Sequence, residues 1–214
     1  MEDSFRHKGL RKKLIQQLRD KGIKNEEILE AMNNVPRHLF MDSGFIHFSY
    51  QDKAFPIGAG QTISQPYTVA FQTQLLNPIK FEKVLEVGTG SGYQCAILME
   101  LKMIVFTIER QRELYLKAQD QLKKLGYNPR IFYGDGYAGL PTYGPFDKIL
   151  VTAGAPSIPE KLLEQLKVGG RMVVPVGDKT KQVMTLIEKT GESNYSKSEH
   201  GTFLFVPMLK GKQT

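Results

Sequence analysis

Apolar residues recur along this chain in two rhythms, and the change from one to the other divides it. Over residues 5–33 they fall at helical spacing, Leu10, Leu14, Ile15 and Leu18 in one stretch and Ile28, Leu29 and Met32 in another, with Gly22 between them. Two helices are expected there. From Val35-Pro36-Arg37 to Ile57-Gly58-Ala59-Gly60 no period holds, and the Pro, Gly and aromatic content reads as a packed loop region rather than a linker. A further helix is expected from Pro66, a residue tolerated in a first turn, to Leu76. Beyond Val84, short apolar runs alternate with helical patterns. Strands are expected at 84–88, 104–109, 130–134, 147–152, 171–176, 182–188 and 202–206, and helices near 92–102, 111–125 and 159–167.

That alternation predicts βαβ units with right-handed crossovers and a parallel sheet. Between the last two strands only the polar Gly191-Glu192-Ser193-Asn194 stands, so they should form a hairpin. The expected fold is therefore α/β: a mostly parallel seven-stranded sheet with one antiparallel strand, helices on both faces and an N-terminal helical extension. Residues 1–78 would supply the N-terminal helices and a loop packed on a core of residues 79–214, acting as a single compact domain.

Composition narrows the setting. No apolar run of the 214 residues approaches the roughly 18 needed to span a bilayer, and the stretch Met1-Glu2-Asp3-Ser4-Phe5-Arg6-His7-Lys8 lacks the apolar segment of a secretory signal. A cytoplasmic protein, and by default a monomer, is expected. The lone Cys95 excludes an internal disulfide and reads as an inert packed residue, and His7, His38, His47 and His200 do not stand at metal-ligand spacing. A net charge of +7 raises the question of nucleic acid, but the basic residues are scattered and no aromatic platform is interleaved with them, so a solvated surface is the better reading.

The chemistry concentrates in Val84-Leu85-Glu86-Val87-Gly88-Thr89-Gly90-Ser91-Gly92, a buried-strand pattern that runs into three alternate glycines. Glycine there lets the chain turn sharply and a ligand approach the backbone. A dinucleotide fingerprint would need a glycine where Tyr93 stands. The observed E-x-G-x-G-x-G instead looks like the first motif of Rossmann-like S-adenosylmethionine (SAM) methyltransferases, whose cofactor carries a cationic amine and sulfonium that Glu86 can favour. A flexible turn is the bland alternative, and the helix and second strand that follow argue against it. That strand ends at Glu109, 21 residues after Gly88, near the separation at which an acid meets a ribose; a solvated charge beside Arg110 is the competing reading. The third strand ends in Gly134-Asp135-Gly136, read either as adenine recognition or as an Asp-Gly turn.

At the end of the fourth strand, Thr152-Ala153-Gly154-Ala155-Pro156 lacks the Asn/Asp-Pro-Pro-aromatic cluster with which enzymes hold the exocyclic amine of a base. Small uncharged residues suit an acceptor that is already anionic, such as a carboxylate, for which positioning replaces proton abstraction. Pro56-Ile57-Gly58-Ala59-Gly60-Gln61-Thr62-Ile63-Ser64-Gln65-Pro66-Tyr67 closely resembles the signature of protein-L-isoaspartate O-methyltransferases of the bacterial type. The likeness continues through Val35-Pro36-Arg37, Gly169-Gly170, Pro175-Val176-Gly177 and Phe205-Val206-Pro207.

The resemblance implies SAM-dependent methylation of the free α-carboxylate of L-isoaspartyl residues in damaged proteins and peptides, whose ester closes to a succinimide. It implies that Ser64 is the active-site serine and that Gln61, Thr62 and Ile63 belong to a loop over cofactor and substrate. It further implies that Glu86, Gly88, Thr89, Gly90, Glu109, Arg110, Asp135 and Gly136 hold the cofactor, and that Ile57, Ser64 and Val206 meet the peptide. From the residues alone, Ser64 could equally cap the helix starting near Pro66. Gly154 and Met208 stand where alanine and leucine are usual in the family. The competing functions are methylation of a small molecule or RNA, and nucleic-acid binding without catalysis.

Overall fold

The computed structural model describes residues 3–213. Met1, Glu2 and Thr214, which include the outer limits of the two expected segments and the start of the stretch searched for a signal, lie outside the described residues. Helix α1 spans Phe5–Asp20, with the Ser4 hydroxyl accepting from the His7 amide, and α2 spans Glu26–Asn34, capped by Asn25. Gly22, at φ +95°, lets the chain reverse between them. Leu14, Ile15 and Leu18 of α1 and Ile28, Leu29 and Met32 of α2 are buried, so the helical period read from the sequence is the buried face.

Residues 35–60 are more ordered than a packed loop. Two 3-10 turns, Arg37–Phe40 and Ser43–Phe48, lead into a short antiparallel hairpin of β1 (Phe55–Gly58) and β2 (Gln61–Ile63). No alternating apolar pattern marks strands of four and three residues, which is why the sequence hid them. Helix α3 then runs Pro66–Leu76 with proline in its first turn.

The seven-stranded sheet has the order β5-β4-β3-β6-β7-β8-β9. Strands β3 (Lys83–Val87), β4 (Ile104–Glu109), β5 (Arg130–Tyr133), β6 (Phe146–Val151) and β7 (Leu166–Gly177) are parallel neighbours, interleaved with helices α4 (Tyr93–Glu100), α5 (Arg112–Lys124) and α6 (Glu160–Glu164). β8 (Gln182–Lys189) runs against β7, and β9 (Tyr195–Phe203) against β8, so β8 alone opposes the common direction. This is the expected architecture, with three changes of boundary. α6 stops at Glu164 and β7 begins at Leu166, where a helix had been expected to continue. The final strand lies at 195–203 rather than 202–206. Its residues are nearly all exposed and polar, so backbone pairing at a sheet edge forms it without an apolar signal. The apolar run after Phe203 leaves the sheet and serves the site below.

Two hydrophobic clusters fill the faces of the sheet. One joins Leu14, Leu18, Ile28 and Met32 to Ile97, Leu98 and Val105, which ties the N-terminal helices to α4 and the strands; the other gathers Leu85, Phe106, Phe146 and Ile149. Folding also brings together His7 and His38, stacked at 3.8 Å, and Asp3. Both Asp3 oxygens pair with the Arg11 guanidinium, at 3.0 and 2.9 Å, so a fixed positive charge already occupies the carboxylate that a metal would need. Cys95 is buried, which pushes its thiol well above the usual range and leaves it unreactive. No helix among the described residues is long and apolar enough to cross a membrane.

Candidate active site

The tips of β3, β4 and β6 meet where the chain leaves β3 through Gly88, Gly90 and Gly92, at φ +100°, +52° and +86°. Gly88 has two reasons to be glycine. Its backbone is left-handed, and a Cβ there would lie 2.5 Å from Thr152 Oγ1, which donates to the Val87 or Gly88 carbonyl. Glu109, buried at the end of β4, grips the turn from the other side: Oε2 accepts from the Gly90 amide at 2.9 Å and Oε1 from the Gln111 amide at 2.8 Å. A carboxylate offers about four acceptor directions, so each oxygen keeps one for a ligand.

Behind this wall, Glu86 is fully buried. Its Oε2 accepts from the Thr107 hydroxyl at 2.5 Å, which in turn lies 2.7 Å from Thr89 Oγ1. Burial pushes the Glu86 carboxyl up to about 8; the Thr107 bond opposes this, and the nearby Glu109 charge adds to it. At neutral pH the group is mainly a neutral acid.

A cavity opens over the glycine turn. Its floor is Gly88 to Ser91, its sides are Glu109, Arg110, Gly136 and Thr152, and its roof is Gln61 to Ser64 from the β2 end together with Val206 to Leu209. A second cavity of about 790 Å³ adjoins it, walled by Gln65, Tyr67 and Phe71 near α3 and by His200 to Val206 at the end of β9. Thr62, Ser64, Thr152 and Val206 border both cavities and so form the wall between them. The segment after Phe203 is held in place by named bonds. The Gly154 amide donates to the Val206 carbonyl at 2.9 Å, the Met208 amide to the Gly154 carbonyl at 2.7 Å, and the Phe205 amide to Gln182 Oε1 at 2.7 Å. A Cβ on Gly154 would stand 3.0 Å from the Gln182 side chain, so glycine here leaves Gln182 room to hold Phe205.

Of the residues singled out in the sequence, Gln61, Thr62, Ile63, Ser64, Gly88, Thr89, Gly90, Glu109, Arg110, Gly136 and Val206 come together on the first cavity. Three do not line it. Glu86 lies behind the turn and reaches the cavity only through Thr107 and Thr89. Asp135 gives its two oxygens to the amides of Tyr137 and Gly211, both at 2.9 Å, while its neighbour Gly136 lines the wall; a Cβ there would lie 2.5 Å from Val87 Cγ1. Ile57 is buried beneath the turn, its Cδ1 3.5 Å from where a Gly90 Cβ would be. Arg110 borders the cavity, but its donors reach the Gly211 carbonyl and Gln213 Oε1, both at 3.1 Å.

Ser64 is not a helix cap. The capping position of α3 is Gln65, and the Tyr67 amide is satisfied by Asp52 Oδ1 at 2.8 Å. The histidines that could activate a serine hydrogen-bond elsewhere, His38 to Tyr50 and His200 to Ser198. Sequence reasoning placed Thr152 in the acceptor-side stretch without a role of its own, and gave Tyr93 no place in the site. Thr152 was expected to end the fourth strand and stands just beyond it, whereas Tyr93 registered only as a missing glycine and is in fact a buried wall residue packed edge-on against Phe40.

Comparison with known proteins agrees with this layout. The family model for protein-L-isoaspartate(D-aspartate) O-methyltransferase matches residues 9–213. A protein-L-isoaspartate O-methyltransferase of Christiangramia forsetii is 58% identical, covering 99% of this chain and 100% of its own. One from Cytophaga hutchinsonii is 57% identical over 98% of this chain and 95% of its own. A crystal structure from Plasmodium falciparum, of a protein named for the same activity and in complex with S-adenosyl-L-homocysteine, superposes with a TM-score of 0.83 at 25% identity, covering 94% of this chain and 98% of that one. The chain belongs to the protein-L-isoaspartate(D-aspartate) O-methyltransferase family.

Proposed function

We propose that this protein transfers a methyl group from SAM to the free α-carboxylate of L-isoaspartyl residues in damaged proteins and peptides, the step that starts their repair. The observation that carries this reading is the pair of adjoining cavities that share Thr62, Ser64, Thr152 and Val206, one over the glycine turn with Glu109 in its side, the other lined by hydroxyl and aromatic side chains. The residues of the first cavity fit the cofactor: the Gly88 and Gly136 surfaces have no Cβ to obstruct it, and Glu109 has acceptor capacity for ribose hydroxyls.

When bound, the cofactor supplies an electrophilic methyl group. The chain then has to bring an ionised carboxylate to it, hold that carboxylate in line and keep water away, which needs no general base. Thr62, Ser64 and Thr152 carry the hydroxyls of the shared wall, and Ser64 is the one this reading assigns to the substrate carboxylate. Thr152 is committed to backbone carbonyls. The second cavity takes the peptide, with the segment around Val206 alongside it. On the same reading residues 1–78 cover the substrate side of the 79–214 core, and the enzyme works as a single chain in the cytoplasm.

The test is a paired-peptide assay. Labelled methyl should pass from SAM to an isoaspartyl peptide in a base-labile form and not to its aspartyl counterpart. Equal labelling of both peptides, or label that survives mild alkali, rejects the reading.

A further inference from the structure

Arg37 has none of its surface exposed. Its Nη1 donates to the Ser49 carbonyl at 2.5 Å and to Met41 Sδ at 3.4 Å, and its Nη2 to the carbonyls of Lys53 at 3.0 Å and Ser64 at 3.1 Å. The guanidinium stands 5.8 Å from the ring centroids of both Phe55 and Tyr93. Among the described residues no carboxylate forms a salt bridge with it; main-chain carbonyls, which attract a cation less strongly, hold it instead. Burial lowers its pKa to about 10, so the charge persists at neutral pH. Burying a charge this way is costly, and its visible result is to fasten the turn at residues 49–53 to the carbonyl of Ser64.

The same turn carries Asp52, whose side chain is 8% exposed and pairs with Lys21 at 2.6 Å. Asp52 Oδ1 accepts from the Tyr67 amide at 2.8 Å and Oδ2 from Gln65 Nε2 at 3.1 Å. Ser64 is thus held on its own carbonyl by Arg37, while Gln65 and Tyr67, at the start of α3, are held by Asp52. The Asp52 bonds reach no residue that lines the cofactor cavity, whereas the Arg37 guanidinium also stands against Tyr93, which follows the glycine turn and lines that cavity. Asp52 therefore holds the start of α3 independently of the cofactor's floor.

We propose that Arg37 and Asp52 are positioning residues which act through Ser64, clasping it at the wall where the two cavities meet. The proposal rests on the reading of Ser64 as the hydroxyl that meets the substrate. A purely structural role would lower activity whether or not Ser64 has its hydroxyl; a positioning role has nothing left to position once the hydroxyl is gone.

The experiment is a set of double-mutant cycles in the full chain. Arg37→Lys keeps the charge but loses the fork, and Asp52→Asn keeps the shape but loses the paired acceptors. Each should lower kcat/KM for an isoaspartyl peptide by about ten-fold, chiefly in kcat, with the SAM dissociation constant within about two-fold of the parent. In a Ser64→Ala background the same substitutions should cost less than about two-fold more. Undiminished losses in that background overturn the proposal. Should Arg37→Lys fail to fold, Asp52→Asn decides alone. Ser64→Ala turning over at the parental rate would remove the serine reading and this proposal together, whereas a slow Ser64→Ala with undiminished second losses removes only the clasp.

Discussion

The two cavities are built on opposite plans. The one over the glycine turn sits on the tips of parallel strands buried on both faces, and Thr152 and Glu109 lock the main chain of that turn by hydrogen bonds. The neighbouring one is walled by the exposed end of an edge strand, by α3 and by the segment after Phe203, which is held by the few hydrogen bonds of Gly154 and Gln182. A ligand of one fixed shape suits the first plan. A peptide whose flanking residues vary suits the second, because side chains at a sheet edge can adjust without disturbing the core. The hydroxyls of the shared wall are where the fixed half meets the adaptable one.

If that contrast is right, lesions on the two sides separate cleanly. The largest effect is expected from Gly88→Ala. A left-handed alanine costs about 1–2 kcal/mol and its Cβ must displace the Thr152 hydroxyl, so SAM affinity measured by calorimetry should fall about a hundred-fold. Affinity unchanged by a Cβ at that position would mean the turn is not the cofactor's floor.

On the other side, Gln182→Ala strands the buried Phe205 amide without its acceptor and frees the segment that carries Val206. A lost buried partner of this kind is worth about 1–3 kcal/mol, and the peptide KM should rise about ten-fold while SAM affinity holds. A matching loss of SAM affinity would show that the two halves are not independent.

A third effect concerns stability and is read from its dependence on pH. Between the unfolded value of 4.5 and the native value of about 8, the folded protein holds a proton on Glu86 that the unfolded chain has released. Stability on this account falls as pH rises through that window and is level above it. Glu86→Gln removes the dependence, so its melting temperature should match the parent near pH 5 and exceed it at pH 8. A difference that stays constant across that range contradicts a neutral buried acid.

The same contrast explains what the sequence revealed. The strand and helix alternation from Val84 onward, and the glycine turn within it, were legible because buried parallel strands are uniformly apolar and because left-handed backbone demands glycine. The β1–β2 hairpin was not legible, since strands this short carry no alternation. β9 was displaced by several residues because an edge strand exposed on both faces looks polar, while the apolar residues after Phe203 owe their character to the site they line.

Side-chain roles were read less well than positions. Glu86 and Asp135 carry the spacing of ligand-binding acids, yet one is buried behind Thr107 and Thr89 and the other is occupied by two amides. Spacing along a strand reports which end a residue occupies. It does not report which way the side chain turns or what claims its oxygens. Arg37 shows the converse: it was noted only as part of a likeness, and its burial against the Ser64 carbonyl is a fact of tertiary packing alone.

The most direct test of the central claim is a crystal structure of the protein with S-adenosyl-L-homocysteine and an isoaspartyl peptide bound together. The account predicts the adenosyl group over Gly88 and Gly90, the peptide along Phe203 to Val206, and the peptide's free carboxylate against the wall of Thr62, Ser64, Thr152 and Val206. A peptide seated away from that wall, or a cofactor outside the glycine turn, would contradict it.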